Sequence, residues 1–332
     1  MNAIIWSKYG PPEVLHFGEV KKPIPKENEV LIRIHAATVT AGDCEMRSLK
    51  SRFIISIMLR LFVGIFRPRR IRVLGQELSG VVEEVGSGVT KFKPGDEIIA
   101  STGFGMGAYA EYISLPENAG DSDGLIIAKP QNISFGEAAS IPTGGIEALH
   151  FLRKAAVKGG EKVLINGSGG SIGTIAVQLA KYYEAEVTAV DSGEKLEMLR
   201  SIGADHVIDY AREDFTLRGE TYDVIFDIVG KASYKRCIDS LAEGGRLLLS
   251  NPQFLQMIRR EWTLGKGNKR VIAGTSTRDP GDLAFLAKLV ETGIIKPVVD
   301  RSYPLEQTAE AHRYVESGKK QGSVVITVAE RV

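Results

Sequence analysis

Apolar residues in this chain recur with two different periods, and the change of period divides the sequence. From residue 1 to about 125 the apolar runs are short and β-branched, as at Val30–Ile34 and Gly80–Val85, and are parted by turns such as Lys93-Pro94-Gly95-Asp96. Runs of this kind predict strands. A further strand is expected over Gly107-Ala108-Tyr109-Ala110-Glu111-Tyr112, where alternation would send Tyr109 and Tyr112 to opposite faces. Between about 135 and 275, short apolar runs alternate with stretches of helical spacing. Strands are expected at Val163–Ile165, Val187–Val190, His206–Ile208, Val224–Ile228 and Leu247–Leu249. Helices are expected from Ile172 to Tyr183, near Glu194–Ile202 and near Tyr234–Leu241. Such alternation implies an α/β fold with a doubly wound parallel sheet covered on both faces. From Pro297 to Val328 the pattern is strand-rich again around a helix near Thr308–Ser317, and the strand Val324–Val328 is expected to rejoin the first domain. The expected boundaries are 1–130, 131–280 and a return over 281–332, with no internal repeat.

The sharpest chemistry lies in VLINGSGGSIGTIAVQLAKYYEAEVTAVD, residues 163 to 191. A buried strand breaks into a glycine turn, a helix follows with an apolar stripe at Ile172, Ile175, Ala176, Leu179, Ala180 and Tyr183, and a second strand ends on Asp191. Amides at a helix start have no intrahelical acceptor, and the helix dipole favours negative charge there. Gly167, Gly170 and Gly173 allow a tight turn, close approach of a pyrophosphate and close helix–sheet packing. The expected cradle is Gly167, Ser168, Gly169, Gly170, Ser171, Ile172 and Gly173. Asp191, eighteen residues past the last glycine, stands where a ribose hydroxyl would arrive. Val229-Gly230 and Ser250-Asn251 fall at strand C-terminal ends, where doubly wound sheets bind ligands, and Asn251 could meet a nicotinamide carboxamide.

Composition narrows the class without naming a substrate. The 332 residues suit two domains, and 43% hydrophobic with 25% charged residues is ordinary for a globular protein. A balance of 42 basic against 41 acidic residues gives no reason to expect nucleic acid. Two cysteines, Cys44 and Cys237, cannot build a four-thiolate lobe or a disulfide framework and suit a reducing compartment. No uninterrupted apolar run reaches the roughly 18–20 residues of a membrane span. The first fifteen residues read as neither signal nor transit peptide, so a cytoplasmic location is expected.

A β-rich part interrupted by a nucleotide-binding part, carrying Leu74-Gly75-Gln76-Glu77-Leu78-Ser79-Gly80-Val81-Val82, Lys93-Pro94-Gly95-Asp96, GAYAEY, Asn166–Gly173, Ile202-Gly203-Ala204-Asp205, Pro304-Leu305 and Ala311-His312, resembles the medium-chain dehydrogenase/reductase superfamily. The resemblance covers nearly the whole chain and is to the zinc-independent, quinone-oxidoreductase-like branch, including bacterial NAD(P)-dependent alcohol dehydrogenase-like proteins. It implies a GroES-like β-rich domain plus a Rossmann domain, and a homodimer by analogy. It places the three catalytic zinc ligands of the zinc enzymes at Thr40, Gln76 and Ala139. A hydroxyl, an amide and a methyl bind zinc poorly or not at all, so no metal is expected. Without a Lewis acid to hold an alkoxide, an acceptor that spreads charge onto its own oxygen is favoured, namely a quinone or an α,β-unsaturated carbonyl. The resemblance puts Thr40, Asp43 and Thr143 beside the nicotinamide, Thr40 standing where the branch usually has Asn. Each could equally satisfy loop backbone, and no proton donor is assigned.

For the dinucleotide, Asp191 favours NAD, because a carboxylate repels a 2′-phosphate. Ser192 and Lys195 favour NADPH, since the resemblance matches them to positions that hold that phosphate in the branch, and it matches Tyr210 to a tyrosine near the adenosine end. Ser192 could equally cap the next helix and Lys195 be solvated, but NADPH is the expected cofactor, with NADH second. Two other functions stay open: a zinc-independent alcohol or aldehyde oxidoreductase, and a nucleotide-loaded binding or membrane-surface protein without turnover.

Residues 48 to 72, SLKSRFIISIMLRLFVGIFRPRRIR, hold seven cations and no acid around an apolar run. A lid over the substrate mouth, a subunit contact and a membrane-surface element compete. A lid or packing helix is preferred, because amphipathic stretches more often face protein cores, and a membrane surface is not among the expected partners.

Overall fold

The computed structural model describes residues 1–49, 53–118, 124–252, 261–264, 267–274, 276–277 and 279–328. Lys50 and Arg52 of the basic segment therefore lie outside the described residues. In chain order the elements are β1 Asn2–Trp6, β2 Leu15–Glu19, β3 Glu29–Val39, α1 Ala41–Ser48, α2 Phe53–Val63, β4 Glu77–Val85, β5 Glu97–Ser101, β6 Tyr112–Pro116, β7 Leu125–Ala128, α3 Phe135–Ala139 and α4 Pro142–Ala155. They continue with β8 Lys162–Asn166, α5 Ser171–Tyr182, β9 Glu186–Asp191, α6 Leu196–Ser201, β10 His206–Asp209, β11 Tyr222–Asp227, α7 Tyr234–Asp239, β12 Leu241–Leu249, β13 Glu261–Leu264 and β14 Lys269–Ala273. The last are α8 Pro280–Glu291, β15 Val299–Pro304, α9 Thr308–Glu316 and β16 Ser323–Thr327.

Two compact units result: Met1–Thr143 with Arg278–Glu291 and Val298–Val332, and Gly144–Thr277 with Thr292–Pro297. The first is built on β3, whose Val30, Leu31, Ile32, Ile34, Ala36, Ala37 and Val39 are all buried. A strand buried at nearly every position has no solvent face, so it takes a central place. β3 pairs antiparallel with β4, β6 and β16, in the order β15-β16-β3-β4-β5-β7 with β6 added on β3. The register Val324↔Val39 ties the end of the chain to this sheet.

The second unit is a parallel sheet in the order β10-β9-β8-β11-β12-β14, with β13 antiparallel at one edge. Val163, Leu164, Ile165, Val224, Ile225, Phe226, Leu247 and Leu248 are completely buried. Each such side chain contributes about 1.5–3 kcal/mol, which is what holds a parallel sheet buried on both faces. The α/β class expected from the alternation is what forms. Strand order reverses between β8 and β11, and at such a switch point the loops diverge and leave a crevice at the strand C-termini.

One local expectation fails. The strand foreseen over GAYAEY starts only at Tyr112. Met106 and Gly107 take positive φ (53° and 111°), so the chain enters bent, and Ala110 makes a single bridge to Ala3. Tyr109 instead docks by its own backbone, its N–H donating to Leu74 O and its carbonyl accepting from Ile4 N–H.

Candidate active site

In the nucleotide-type unit the C-terminal ends of β8, β9, β10, β11 and β12 bring every expected cofactor residue to one edge of the sheet. The glycine turn is braced from beneath. Gly167 and Ser168 N–H both donate to Val190 O (3.0 and 3.2 Å), and Ser168 Oγ donates to Ile165 O (2.6 Å) and accepts from Val190 N–H (2.9 Å). Ser168 is wholly buried, so its hydroxyl serves the turn and leaves nothing to offer a ligand. Thr174 N–H is the first to bond back within α5, to Gly170 O (3.0 Å), so the amides just before it have no acceptor inside the helix. A Cβ on Gly173 would stand 2.4 Å from Gly167 O, whereas one on Gly170 would meet nothing nearer than 3.8 Å. The open side of the turn is therefore at Gly170, which fits the close approach of a pyrophosphate.

Asp191 is not the free acceptor that the sequence suggested. Its Oδ2 accepts from Gly169 N–H (2.7 Å), and its Oδ1 accepts from Ser192 N–H (2.8 Å) and the Lys195 ammonium (2.9 Å). Asp191 and Lys195 are each only 6% exposed. The carboxylate thus clamps the turn and carries a neutralising cation, which blunts its repulsion of a phosphate. The helix expected from Glu194 begins as a short 3-10 turn over Gly193–Lys195 before α6. Tyr210 is well exposed, and its backbone N–H donates to Asp191 O (3.1 Å). Val229 packs against the Gly167 turn, where a Cβ on Gly167 would meet Val229 Cγ2 at 2.5 Å, and Asn251 Nδ2 donates to Val229 O (3.3 Å). Ser250 directly follows β12. Pattern reading missed Asp227, which closes β11 and accepts from Asn166 Nδ2 (2.9 Å) and Gly230 N–H (3.0 Å). An acid placed directly after the apolar run Val224–Phe226 was the available signal.

The β-rich unit gathers the other candidates. Thr40 and Asp43 form a reciprocal cap on α1: Asp43 N–H donates to Thr40 Oγ1 (3.0 Å), and Thr40 N–H (2.9 Å) and Oγ1 (2.6 Å) donate to Asp43 Oδ2. Burial pushes the Asp43 carboxyl up to about 6, opposed by these hydrogen bonds. Oδ1 of Asp43 is buried without a well-formed partner. Glu77, absent from the candidates, stands beside this group with its carboxyl raised by burial. Thr38 Oγ1 donates to its Oε1, and Thr143 N–H donates to its Oε2 (2.7 Å). The Thr143 hydroxyl is buried with no well-formed partner. Tyr109 donates to Thr38 O (3.1 Å) and is wholly buried, a satisfied core phenol. Cys44, its thiol raised by burial, lies 3.3 Å from His312 Nδ1. Burial lowers His312 to about 3, so it is neutral.

The residues at the zinc positions do not fit a zinc ion. Gln76 Nε2 lies beside the Gly42 backbone and Thr40, while Ala139 is buried in an apolar cluster with Ala36, Phe135 and Val325. A capped hydroxyl, an amide and a methyl supply no thiolate or imidazole. Among the described residues no group of three or more His, Cys, Asp or Glu side chains is placed to hold a metal.

Comparison with known proteins agrees with this layout. Residues 26–120 match the family model of the alcohol dehydrogenase GroES-like domain, and residues 202–326 match that described as zinc-binding dehydrogenase. An NADPH-dependent alkenal/one oxidoreductase of Arabidopsis thaliana chloroplasts is 31% identical over 343 residues, covering 98% of this chain and 79% of the relative. The solved quinone oxidoreductase of Coxiella burnetii is 30% identical and superposes with a TM-score of 0.86 over 99% of each chain. That of Escherichia coli, complexed with NADPH, is 26% identical with a TM-score of 0.80, over 99% of this chain and 100% of its own.

Proposed function

The chain belongs to the medium-chain dehydrogenase/reductase superfamily, and on that premise we propose that it is an NAD(P)H-dependent reductase of quinones or α,β-unsaturated carbonyls that works without zinc. The observation that carries this reading is the pairing of an intact pyrophosphate turn with zinc positions occupied by Thr40, Gln76 and Ala139. The relatives' names point the same way, to alkenals, enones and quinones.

NADPH, when bound, supplies a hydride to an electron-poor carbon. Charge then develops on the acceptor's oxygen, where each placed donor is worth about 2.7–4 kcal/mol in oxyanion holes. Thr40 and Thr143 carry the hydroxyls suited to that oxygen. With Asp43 ionised, the Thr40 proton points to Oδ2. A protonated Asp43 instead donates to Thr40 and frees that proton for the acceptor.

The α5 start would receive the pyrophosphate, and Asn251 the carboxamide. Ser192, Lys195 and Tyr210 would surround a 2′-phosphate, so NADPH is the preferred reductant. Lys195→Ala is expected to raise the KM for NADPH roughly thirtyfold, about 2 kcal/mol for one charge-assisted hydrogen bond, and to leave that for NADH within about twofold. Equal effects on both would remove Lys195 from the phosphate site. Two buried, unbridged thiols fit a cytoplasmic home, and a homodimer is proposed by family analogy.

The test is oxidation of NADPH and NADH against quinones, enals and enones, with simple alcohols and NADP⁺ in reverse. Turnover of conjugated acceptors but not of alcohols is expected, and the opposite pattern would reject the proposal.

A further inference from the structure

We propose that the segment from α2 to Arg72 is a docking surface for an anionic lipid bilayer. The inference stands apart from the catalytic reading. Val63, Pro68, Ile71 and Leu74 are buried and pin the segment to its unit, helped by the Tyr9 hydroxyl on Gly64 O and by Trp6 N–H on Arg72 O (2.7 Å). Between these anchors Ile65, Phe66, Arg67, Arg69, Arg70 and Arg72 face outward. Ile57 and Leu61 lie one turn apart on α2, and Phe62, Ile65 and Phe66 extend the patch, with Leu61 69% and Phe66 90% exposed. A Leu and a Phe this open, five residues apart on a fixed segment, mark a surface that is covered in use.

Arginines rim the patch. Arg67, Arg69, Arg70 and Arg72 are exposed, and among the described residues none of them, nor Arg60, forms an ion pair. Arg70 lies over the Phe62 ring at 4.2 Å, so cation and apolar surface are contiguous. Between Glu45 and Glu77 the sequence holds no acid. The occupant must therefore be both apolar and negatively charged. A second copy of this chain is disfavoured, because a two-fold contact sets a patch against itself and here would oppose arginine to arginine. Nucleic acid offers no apolar surface for Leu61 and Phe66. A bilayer rich in acidic phospholipid offers acyl chains below and phosphates around. The eleven residues of α2 are too short to cross it, so the segment lies in the interface.

The test is co-sedimentation of the whole protein with vesicles of phosphatidylglycerol and phosphatidylcholine in equal parts, against phosphatidylcholine alone, at low and high salt. Two variants accompany it: Leu61→Asp with Phe66→Asp, and Arg67→Glu with Arg69→Glu and Arg70→Glu. All these side chains are exposed, so unchanged melting temperatures should certify folding. Binding to the anionic vesicles only, weakened by salt and reduced about a hundredfold or more in the arginine variant, is expected. The apolar variant should also lose binding. Wild-type protein left in the supernatant, or pelleting that is indifferent to lipid charge and to both variants, would overturn the proposal. So would a dimer, seen by sedimentation velocity, that the same variants dissociate without any vesicle binding, because a second copy would then be the occupant.

Discussion

Gly173→Ala should abolish useful dinucleotide binding, while Gly170→Ala in the same turn leaves the fold untouched. At Gly173 the added methyl would meet Gly167 O at 2.4 Å and Ser168 Cα at 2.5 Å, all backbone. That backbone cannot retreat, since Gly167 and Ser168 are tied to Val190 and Gly169 to Asp191. Overpacking of this kind costs about 1–3 kcal/mol in stability. Displacing the α5 start also removes one or two amide–phosphate hydrogen bonds, each about 1.5–3 kcal/mol, so affinity should fall at least about tenfold. At Gly170 a Cβ meets only Gly167 O, at 3.8 Å. Any weakening of NADPH there reports the ligand's close approach rather than damage to the turn. Fluorescence titration and thermal melting of both variants check this. Normal binding by Gly173→Ala would contradict the geometry of the cradle.

Acid should destabilise the protein through His312. Its ring is wholly buried, Nε2 has no hydrogen-bond partner, and its pKa falls from 6.5 to about 3. Below 6.5 the unfolded chain takes up a proton that the folded one refuses, so stability is complete above 6.5 and is lost as pH falls toward 3. A shift of that size corresponds to on the order of 5 kcal/mol. Asp43 acts oppositely. Its folded pKa of about 6 exceeds the usual 3.8, so its contribution is present below 3.8 and is lost as pH rises through 6, on the order of 3 kcal/mol. Other charges facing the pair, Arg47, Glu77, Tyr109 and Glu316, remain in every variant. In urea unfolding at pH 8, 6 and 4, His312→Leu should flatten the acid limb and Asp43→Asn should steepen it. An acid limb unchanged in His312→Leu would show that the imidazole is not the group that titrates.

Much of this was legible in the chain because the signals are local. Strand, glycine turn, helix, strand and acid are contiguous from 163 to 191, and the sheet formed around them as the alternation required. What escaped depends on contacts distant in sequence. Nothing near Asp191 says that its carboxylate is taken by Gly169, twenty-two residues earlier. Thr40 and Asp43 sit three apart, the spacing of a helix cap, yet only the fold shows Glu77 and Thr143 beside them. The bend at Tyr109 hides behind an alternating pattern, since Gly107 supplies a backbone angle that hydrophobicity does not record. Burial in the 48–72 segment was equally unreadable, because helical spacing reveals a stripe but not whether protein covers it.

The most direct measurement follows deuterium. Chelator-treated protein, assayed for zinc, is given an enone and NADPH deuterated at the transferable position, and the product is analysed by mass spectrometry and NMR. Label at the β-carbon, at an undiminished rate with metal well below one equivalent, is the predicted result. Unlabelled product, label on the carbonyl carbon, or activity that vanishes with the metal and returns with zinc would contradict it.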